Sequence, residues 1–258
     1  MSKRRRDIRR FGAGPYLLGL QRIVDEDEGW PTGFPWDVLA GVDNLSLDQP
    51  VTLLAGDNGS GKSTLIEACA QAMGFDAQGG ELERAGELPA VARPILDGLV
   101  EPVLHRWSRP RIGYFLRAES FYNVAAFVDR KDRFSPDLSL YGDVPLHQQS
   151  HGQSFLALAT NRFGGEGLFI LDEPEAALSV TGALALLAVI ARAAQQGAQF
   201  IIATHSPILL AIPHARIYEL SDAGFLETEY ADLEAVQFMR GFLDAPERYL
   251  RAALTDPD

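Results

Sequence analysis

The sequence contains one stretch that indicates both a local structure and a ligand, Gly56-Asp57-Asn58-Gly59-Ser60-Gly61-Lys62-Ser63, which is followed by Thr64. It matches the phosphate-loop pattern at every fixed position. The glycines let the backbone curl so that successive N–H groups point at phosphate oxygens. Lys62 supplies a mobile positive charge for the outer phosphates, and Ser63 offers a hydroxyl to Mg²⁺. The stretch therefore predicts a nucleotide-phosphate site formed by residues 56–64.

The segments around this loop predict an α/β fold. A short apolar run at residues 51–55 has the length of a strand, and a helical pattern follows at residues 62–73. Two more continuously apolar runs, at residues 167–171 and 199–203, are typical of strands buried on both faces of a parallel sheet. The alanine- and leucine-rich residues 178–196 predict the crossover helix between them.

The remaining segments complete a prediction of one main domain. We expect strands at residues 16–24 and 111–118, short helices and loops at residues 75–110, and two helices within residues 233–254. Residues 1–14 form a basic arm, residues 15–258 form a single domain with a mostly parallel sheet, and a small helical side lobe occupies about residues 75–165.

Acidic and basic side chains follow the two buried runs. Asp172 and Glu173 come directly after the first, at the sheet edge where ligands bind in open α/β folds. Two adjacent carboxylates repel unless they share a cation, so Asp172 is predicted to hold Mg²⁺ with Ser63 and Glu173 to activate water. His205 follows the second run and would hydrogen-bond the terminal phosphate or the water. A solvent-facing acidic turn and a purely structural histidine are the alternatives.

Three motifs in this order, GDNGSGKST, LFILDEPE and ATHSP, resemble those of the ABC-type ATPase superfamily over roughly residues 15–220. The resemblance implies a P-loop NTPase head that hydrolyses ATP with Mg²⁺. It also implies a signature loop, for which the candidate is Gln149-Ser150-His151-Gly152-Gln153-Ser154, with a helix from Ser154. Ser150, Gly152 and Gln153 match the family pattern, whereas Gln149 and His151 depart from it. In the family this loop contacts ATP on the opposite protomer, which implies a head-to-tail homodimer.

Two further stretches depart from the family pattern. Where the family has a glutamine-bearing loop, this sequence has Arg117-Ala118-Glu119, and either charged residue is a candidate for that role. The loop that usually ends in aspartate is Ala177-Leu178-Ser179. Phe34 and Trp36 are candidates either for stacking on adenine or for the core.

The spacing of the motifs narrows the resemblance. Lys62 and Ser150 are 88 positions apart, which allows a compact lobe but no long coiled-coil arm. The chain is most similar to small stand-alone bacterial AAA-labelled ATPases, which resemble RecF- and SMC-type heads. We therefore expect an ATPase that drives a protein partner or a nucleic-acid transaction. An ATP-binding subunit of a membrane transporter and a slow ATP-dependent switch are the alternatives.

Charge and cysteine content set the remaining expectations. The net charge is −12, yet the first ten residues carry +5, so the rest of the chain carries −17. An acidic body is a poor non-specific DNA binder. The basic arm is either a contact for nucleic acid or an anionic surface or a frayed, solvated terminus. No apolar run approaches the roughly 18 residues that span a bilayer. One cysteine, Cys69, excludes a disulfide scaffold and predicts a cytoplasmic location.

Overall fold

The computed structural model describes residues 10–11, 13–22, 42–76, 79–82, 100–106, 108–117, 151–221 and 224–254. The strands in these ranges are β1 (Arg10–Phe11), β2 (Leu17–Arg22), β3 (Val51–Gly56), β4 (Gly80–Glu81), β5 (Val100–Leu104), β6 (Ser108–Arg109), β7 (Ile112–Arg117), β8 (Gly167–Asp172), β9 (Gln199–Ala203), β10 (Arg216–Ser221) and β11 (Gly224–Glu227). The α-helices are α1 (Lys62–Ala72), α2 (His151–Arg162), α3 (Val180–Gln195), α4 (Glu234–Asp244) and α5 (Pro246–Leu254).

Seven of these strands form a central sheet in the order β11-β10-β3-β9-β8-β7-β4. The five inner strands of this order are mutually parallel, and β11 and β4 pair antiparallel at its ends. The carboxyl ends of the parallel strands therefore lie along one edge. The register places Arg117 opposite Asp172 and Asp172 opposite Ala203. The predicted fold class, an α/β fold with a mostly parallel sheet, is confirmed.

The sheet is covered on both faces, because alternate strand residues point to opposite sides. Leu53 belongs to the core that contains α2 and α3, whereas Leu54 belongs to the core that contains α1 and β2. In β8, Phe169 and Leu171 face the first core, and Leu168 and Ile170 face the second. All residues of β8 and β9 are buried. This explains why residues 167–171 and 200–203 are continuously apolar rather than alternating in character.

Most predicted elements are present with boundaries shifted by a few residues. The structure confirms the strand–loop–helix unit, the two buried strands, the crossover helix and the two C-terminal helices. The prediction of short helices and loops at residues 75–110 is wrong where the structure describes them, because β4, β5 and β6 are strands. Two of these have only two residues each, and Pro102 interrupts the strand pattern of β5.

The predicted side lobe, residues 75–165, contains elements of the main body. β7 is a strand of the central sheet, and α2 contributes Phe155 and Leu158 to the core. Residues 1–9, Phe34, Trp36 and residues 118–150 lie outside the described ranges, so the domain division and the adenine-stacking candidates stay predictions. Among the described helices, none combines the length and the apolar character needed to cross a bilayer.

Candidate nucleotide site

The phosphate loop connects the end of β3 to the start of α1. Gly56 has a φ of 130°, and a Cβ there would collide with the backbone carbonyl of Leu220, so only glycine fits. Gly59 has a φ of 86° and has open space where its Cβ would be. Asp57, Asn58 and Gly59 are exposed. The loop therefore presents its backbone on an open surface, as a phosphate cradle requires.

The Lys62 side chain lies over this loop. Its Nζ donates hydrogen bonds to Gly56 O at 2.8 Å and Asp57 O at 2.7 Å. Burial lowers the pKa of the Lys62 ammonium, and the carboxylates of Glu173 and Asp172 oppose that shift. The lysine thus places a cation beside the cradle where the outer phosphates of a nucleotide would lie.

A cleft of about 430 Å³ runs beside the phosphate loop. Its walls include Asn58, Ser60, Thr204, His205 and Glu219. The Ser60 hydroxyl is buried and has no hydrogen-bond partner among the described residues. A buried hydroxyl without a partner is costly unless a ligand or water satisfies it, so the cleft and the loop fit a phosphate-bearing ligand.

Ser63 and Asp172 form the candidate magnesium pair. Ser63 Oγ donates to Asp172 Oδ1 over 3.2 Å. Asp172 is buried, which raises the pKa of its carboxyl, while Arg117 and the Ser63 hydroxyl act in the opposite direction. In the described parts of the chain, no group of three histidine, cysteine or acidic residues forms a metal site. One hydroxyl and one carboxylate suit Mg²⁺ whose other ligands are phosphate oxygens and water.

Glu173 and His205 meet beside this pair. His205 Nε2 lies 3.2 Å from Glu173 Oε1, and both side chains are partly exposed. Glu173 N donates to Ala203 O at 2.9 Å, which continues the pairing of β8 with β9 by one residue. Glu173 has a φ of 51°, a left-handed conformation that costs a non-glycine residue about 1–3 kcal/mol. Strain of this kind concentrates at functional sites.

Part of the predicted signature loop lies in a helix. α2 includes His151, so the prediction that the helix starts at Ser154 is wrong, and Gly152 and Gln153 belong to its first turn. A Cβ at Gly152 would come 2.6 Å from Ala177 O, so the absent side chain lets α2 approach the loop after β8. Ser150 lies outside the described residues.

The two departures from the family pattern have structural roles. Arg117 pairs with Asp172 Oδ2 at 3.6 Å and with Glu67 Oε2 at 3.5 Å. Glu119 lies outside the described residues. Ser179 is the N-cap of α3, because its hydroxyl accepts a 3.1 Å hydrogen bond from Gly182 N.

One site residue was missed by sequence reasoning. Glu175 Oε1 accepts hydrogen bonds from Thr204 Oγ1 at 2.6 Å, from His205 N at 2.7 Å and from Ser206 N at 3.0 Å. The sequence displays this glutamate next to the acidic pair, but its partners are about 30 positions away. Only the adjacency of β8 and β9 brings them together.

Comparisons with known proteins identify the relatives of this chain. Residues 137–211 match the family described as "AAA domain, putative AbiEii toxin, Type IV TA system", and residues 40–91 match the family described as "AAA domain". The cytochrome c biogenesis ATP-binding export protein CcmA of Gluconobacter oxydans (strain 621H) is 30% identical over 193 residues, which cover 74% of this chain and 84% of that protein. CcmA of Salmonella typhi is 30% identical over 178 residues, covering 66% and 83%.

Three further similarities are more distant. ABC transporter G family member 6 of Arabidopsis thaliana is 25% identical over 209 residues, which cover 72% of this chain but only 28% of the plant protein. Among solved structures, a putative metal-chelate type ABC transporter has a TM-score of 0.49 at 17% identity, with 89% of each chain covered. The SMC head domain from Thermotoga maritima has a TM-score of 0.41 at 15% identity, with 72% of this chain and 92% of that one covered.

The parallel sheet, the phosphate loop and the acidic strand end define a P-loop nucleotide hydrolase. The similarity to CcmA covers most of both proteins, and it narrows the class from P-loop nucleotide hydrolases in general to ABC-type ATPases. The chain belongs to the ABC-type ATPase family, and it is an ATP hydrolase.

Proposed function

We propose that this chain binds ATP and Mg²⁺ at residues 56–64 and Asp172, and that Glu173 is the general base toward the attacking water. The observation that carries this proposal is the 3.2 Å approach of Glu173 Oε1 to His205 Nε2 at the sheet edge that also holds Ser63 and Asp172. General-base catalysis requires a carboxylate within hydrogen-bond reach of the water it deprotonates. The cleft beside the phosphate loop, which His205 lines, leaves room for a ligand next to this histidine.

Each residue of the site has a separate task in this proposal. Ser63 and Asp172 would hold Mg²⁺, which would supply positive charge to the phosphate oxygens. Lys62 and the backbone N–H groups of the loop orient the triphosphate. Glu173 accepts the proton of the attacking water, and His205 donates a hydrogen bond to the terminal phosphate. The contact between His205 and Glu173 keeps both side chains close to the terminal phosphate and the water that attacks it.

The working unit in this proposal is a head-to-tail homodimer with ATP at the interface. Ser150, Gly152 and Gln153 would face the terminal phosphate bound by the opposite protomer. Support comes from α3, which begins just after the loop that follows Glu173. There Val180 is 74% exposed and Leu184 is 58% exposed. These two apolar side chains are four residues apart, so they share one helix face and suit a partner surface.

The first experiment tests the base and the dimer together. Glu173→Gln removes the proton acceptor, so we expect ATP turnover to fall by about 10²- to 10⁴-fold while ATP binding persists. Light scattering with saturating Mg²⁺ and ATP should then show twice the monomer mass. Glu247→Gln, at an exposed position on α5, is the matched control and should behave as wild type. A monomeric Glu173→Gln protein would rule out the ATP sandwich.

The second experiment tests the phosphate loop. Lys62→Ala removes the cation beside the cradle, so ATP binding should become undetectable by calorimetry. An affinity equal to that of the wild-type protein would overturn the assignment of residues 56–64.

We propose that the dimer acts on a cytoplasmic protein or nucleic-acid partner. The similarity to CcmA favours a second candidate function, the ATP-binding subunit of an exporter that works with a separate membrane protein. Co-purification of the Glu173→Gln protein with ATP discriminates the two. A multi-span membrane protein supports the exporter, and a protein recovered without membranes supports the first candidate.

A further inference from the structure

Arg117 places a positive charge beside the candidate magnesium pair. It is the last residue of β7 and stands directly opposite Asp172 in the sheet register. Its Nε lies 3.6 Å from Asp172 Oδ2, and the side chain is only 26% exposed. Asp172 is also the carboxylate that the proposed function assigns to Mg²⁺. The guanidinium and the metal therefore compete for one buried anion.

The two oxygens of Asp172 have different partners. Oδ1 accepts the Ser63 hydroxyl over 3.2 Å, which leaves Oδ2 facing Arg117. Arginine does not lose its proton in proteins, so this charge is permanent. A divalent cation on Asp172 would lie within a few ångströms of the guanidinium in a poorly hydrated site, where like charges repel strongly. Binding of the metal is easier when Arg117 can move away.

Glu67 is a second anion that contacts Arg117. This residue of α1 lies 3.5 Å from Arg117 through its Oε2. Its other carboxylate oxygen, Oε1, accepts a 3.1 Å hydrogen bond from Gln71 Nε2. The hydrogen bond from Gln71 fixes the Glu67 carboxylate while leaving Oε2 available to Arg117. Arg117 therefore bridges two anions, of which only Asp172 belongs to the metal site.

We propose that Arg117 is a built-in counter-ion that competes with Mg²⁺ for Asp172 and that Glu67 holds Arg117 when the metal binds. The Mg²⁺ concentration that ATP binding requires then depends on how much Arg117 pairs with Glu67 rather than with Asp172. This inference rests on the proposed function, because it requires Asp172 to serve the metal that accompanies ATP. Arg117 is thus a positioning residue, since it acts through Asp172 rather than on the nucleotide.

The experiment measures the Mg²⁺ midpoint for binding of a fluorescent ATP analogue to the full-length protein. Arg117→Gln should lower this midpoint by roughly tenfold, the size expected for one charge pair in a partly buried site. Arg117→Lys keeps the charge and should stay near the wild-type midpoint. Glu67→Gln should raise the midpoint, because Arg117 then loses one of these two carboxylates and pairs more strongly with the other, Asp172. Arg192→Gln, on an exposed part of α3, is the control without effect.

A double-mutant cycle separates this proposal from a general effect of charge on the metal. If Glu67 acts through Arg117, Glu67→Gln has no effect in the Arg117→Gln background. An undiminished effect of Glu67→Gln in that background would overturn the proposal, as would an unchanged midpoint for Arg117→Gln. If Arg117→Gln does not fold, the Glu67→Gln variant alone tests the proposal. An unchanged Mg²⁺ midpoint for Glu67→Gln would contradict the claim that Glu67 holds Arg117 when the metal binds. Failure of the wild-type protein to bind the analogue with Mg²⁺ would instead contradict the proposed function.

Discussion

The carboxylate of Glu175 holds the backbone of His205, whose N–H donates a 2.7 Å hydrogen bond to Glu175 Oε1. The same oxygen accepts from Thr204 Oγ1 and Ser206 N, so it fixes three consecutive residues of one loop. The histidine side chain leaves this loop toward Glu173. The distance between His205 and Glu173 thus depends on a third residue, which holds the backbone of the loop.

This relationship gives a prediction about Glu175. Replacing it with alanine should release the loop at Thr204 to Ser206 and lower kcat for ATP by about 10- to 100-fold, the effect of a misplacement of about 1 Å. KM should change little, because the phosphate loop is untouched. Glu175→Gln keeps an acceptor oxygen and should recover most of the rate. Steady-state ATP hydrolysis measures both constants.

A structural role alone would give a different pattern for Glu175. If the variant were only unstable, the glutamine and alanine forms would lose soluble protein and kcat together. Equal loss of kcat in both variants, or a rise in KM at constant kcat, would contradict the positioning role. Thr204→Val removes one of the three donors and serves as the matched variant, with a smaller expected loss than Glu175→Ala.

The sequence predicted those parts of the site that are contiguous in the chain. One uninterrupted segment contains β3, the phosphate loop and α1. Its glycine spacing alone indicates the conformation of the loop. The apolar runs of β8 and β9 showed which carboxylates and which histidine follow buried strands. Nothing in the sequence indicated that Arg117 bridges Glu67 and Asp172, because such contacts join residues about 50 positions apart. They arise from strand order, which periodicity does not encode.

The close packing of α2 gives a second prediction. Gly152→Ala would place a Cβ 2.6 Å from the carbonyl oxygen of Ala177, and backbone on both sides would have to shift. We expect a loss of about 1–3 kcal/mol in the free energy of unfolding, as for other overpacked sites. Gly164→Ala is the matched control, because its Cβ would meet nothing within 4 Å. Urea denaturation compares the two, and equal stability would contradict the contact.

The buried side chain of Gln199 gives a third prediction. Its Nε2 donates to Leu17 O at 2.7 Å and Leu47 O at 2.8 Å, while its Oε1 accepts from Tyr16 N at 2.7 Å and Leu17 N at 3.1 Å. Gln199→Leu keeps the volume but leaves these backbone groups unpaired. Each of the four lost hydrogen bonds costs about 1–3 kcal/mol, so we expect a loss of at least about 4 kcal/mol in the free energy of unfolding.

The control for Gln199 lies near it in the sequence. Gln195 ends α3 with an exposed side chain, and Gln195→Leu should change stability by less than about 0.5 kcal/mol. Chemical denaturation followed by tryptophan fluorescence measures both variants. A Gln199→Leu protein as stable as Gln195→Leu would show that β2 is not held to β9 by this side chain.

The thiol of Cys69 gives a fourth prediction, which connects stability to nucleotide binding. Cys69 lies in α1 with no exposed surface, and burial raises the pKa of its thiol to about 12. At pH 8 the Cys69 thiol of the folded protein is therefore both protonated and inaccessible to an alkylating reagent. We expect labelling by iodoacetamide to be fast in denaturant and slow in buffer, where it occurs only when α1 detaches from the core.

Nucleotide should slow this labelling further, because α1 begins at the phosphate loop. A ligand at 100 times its Kd lowers the population of opened molecules by about 100-fold. ATP with Mg²⁺ should thus reduce the labelling rate of the wild-type protein and leave that of Lys62→Ala unchanged. Mass spectrometry follows the modified fraction over time. Labelling of the folded wild-type protein as fast as in denaturant would contradict the burial of Cys69, and equal protection of both proteins by ATP would contradict binding at Lys62.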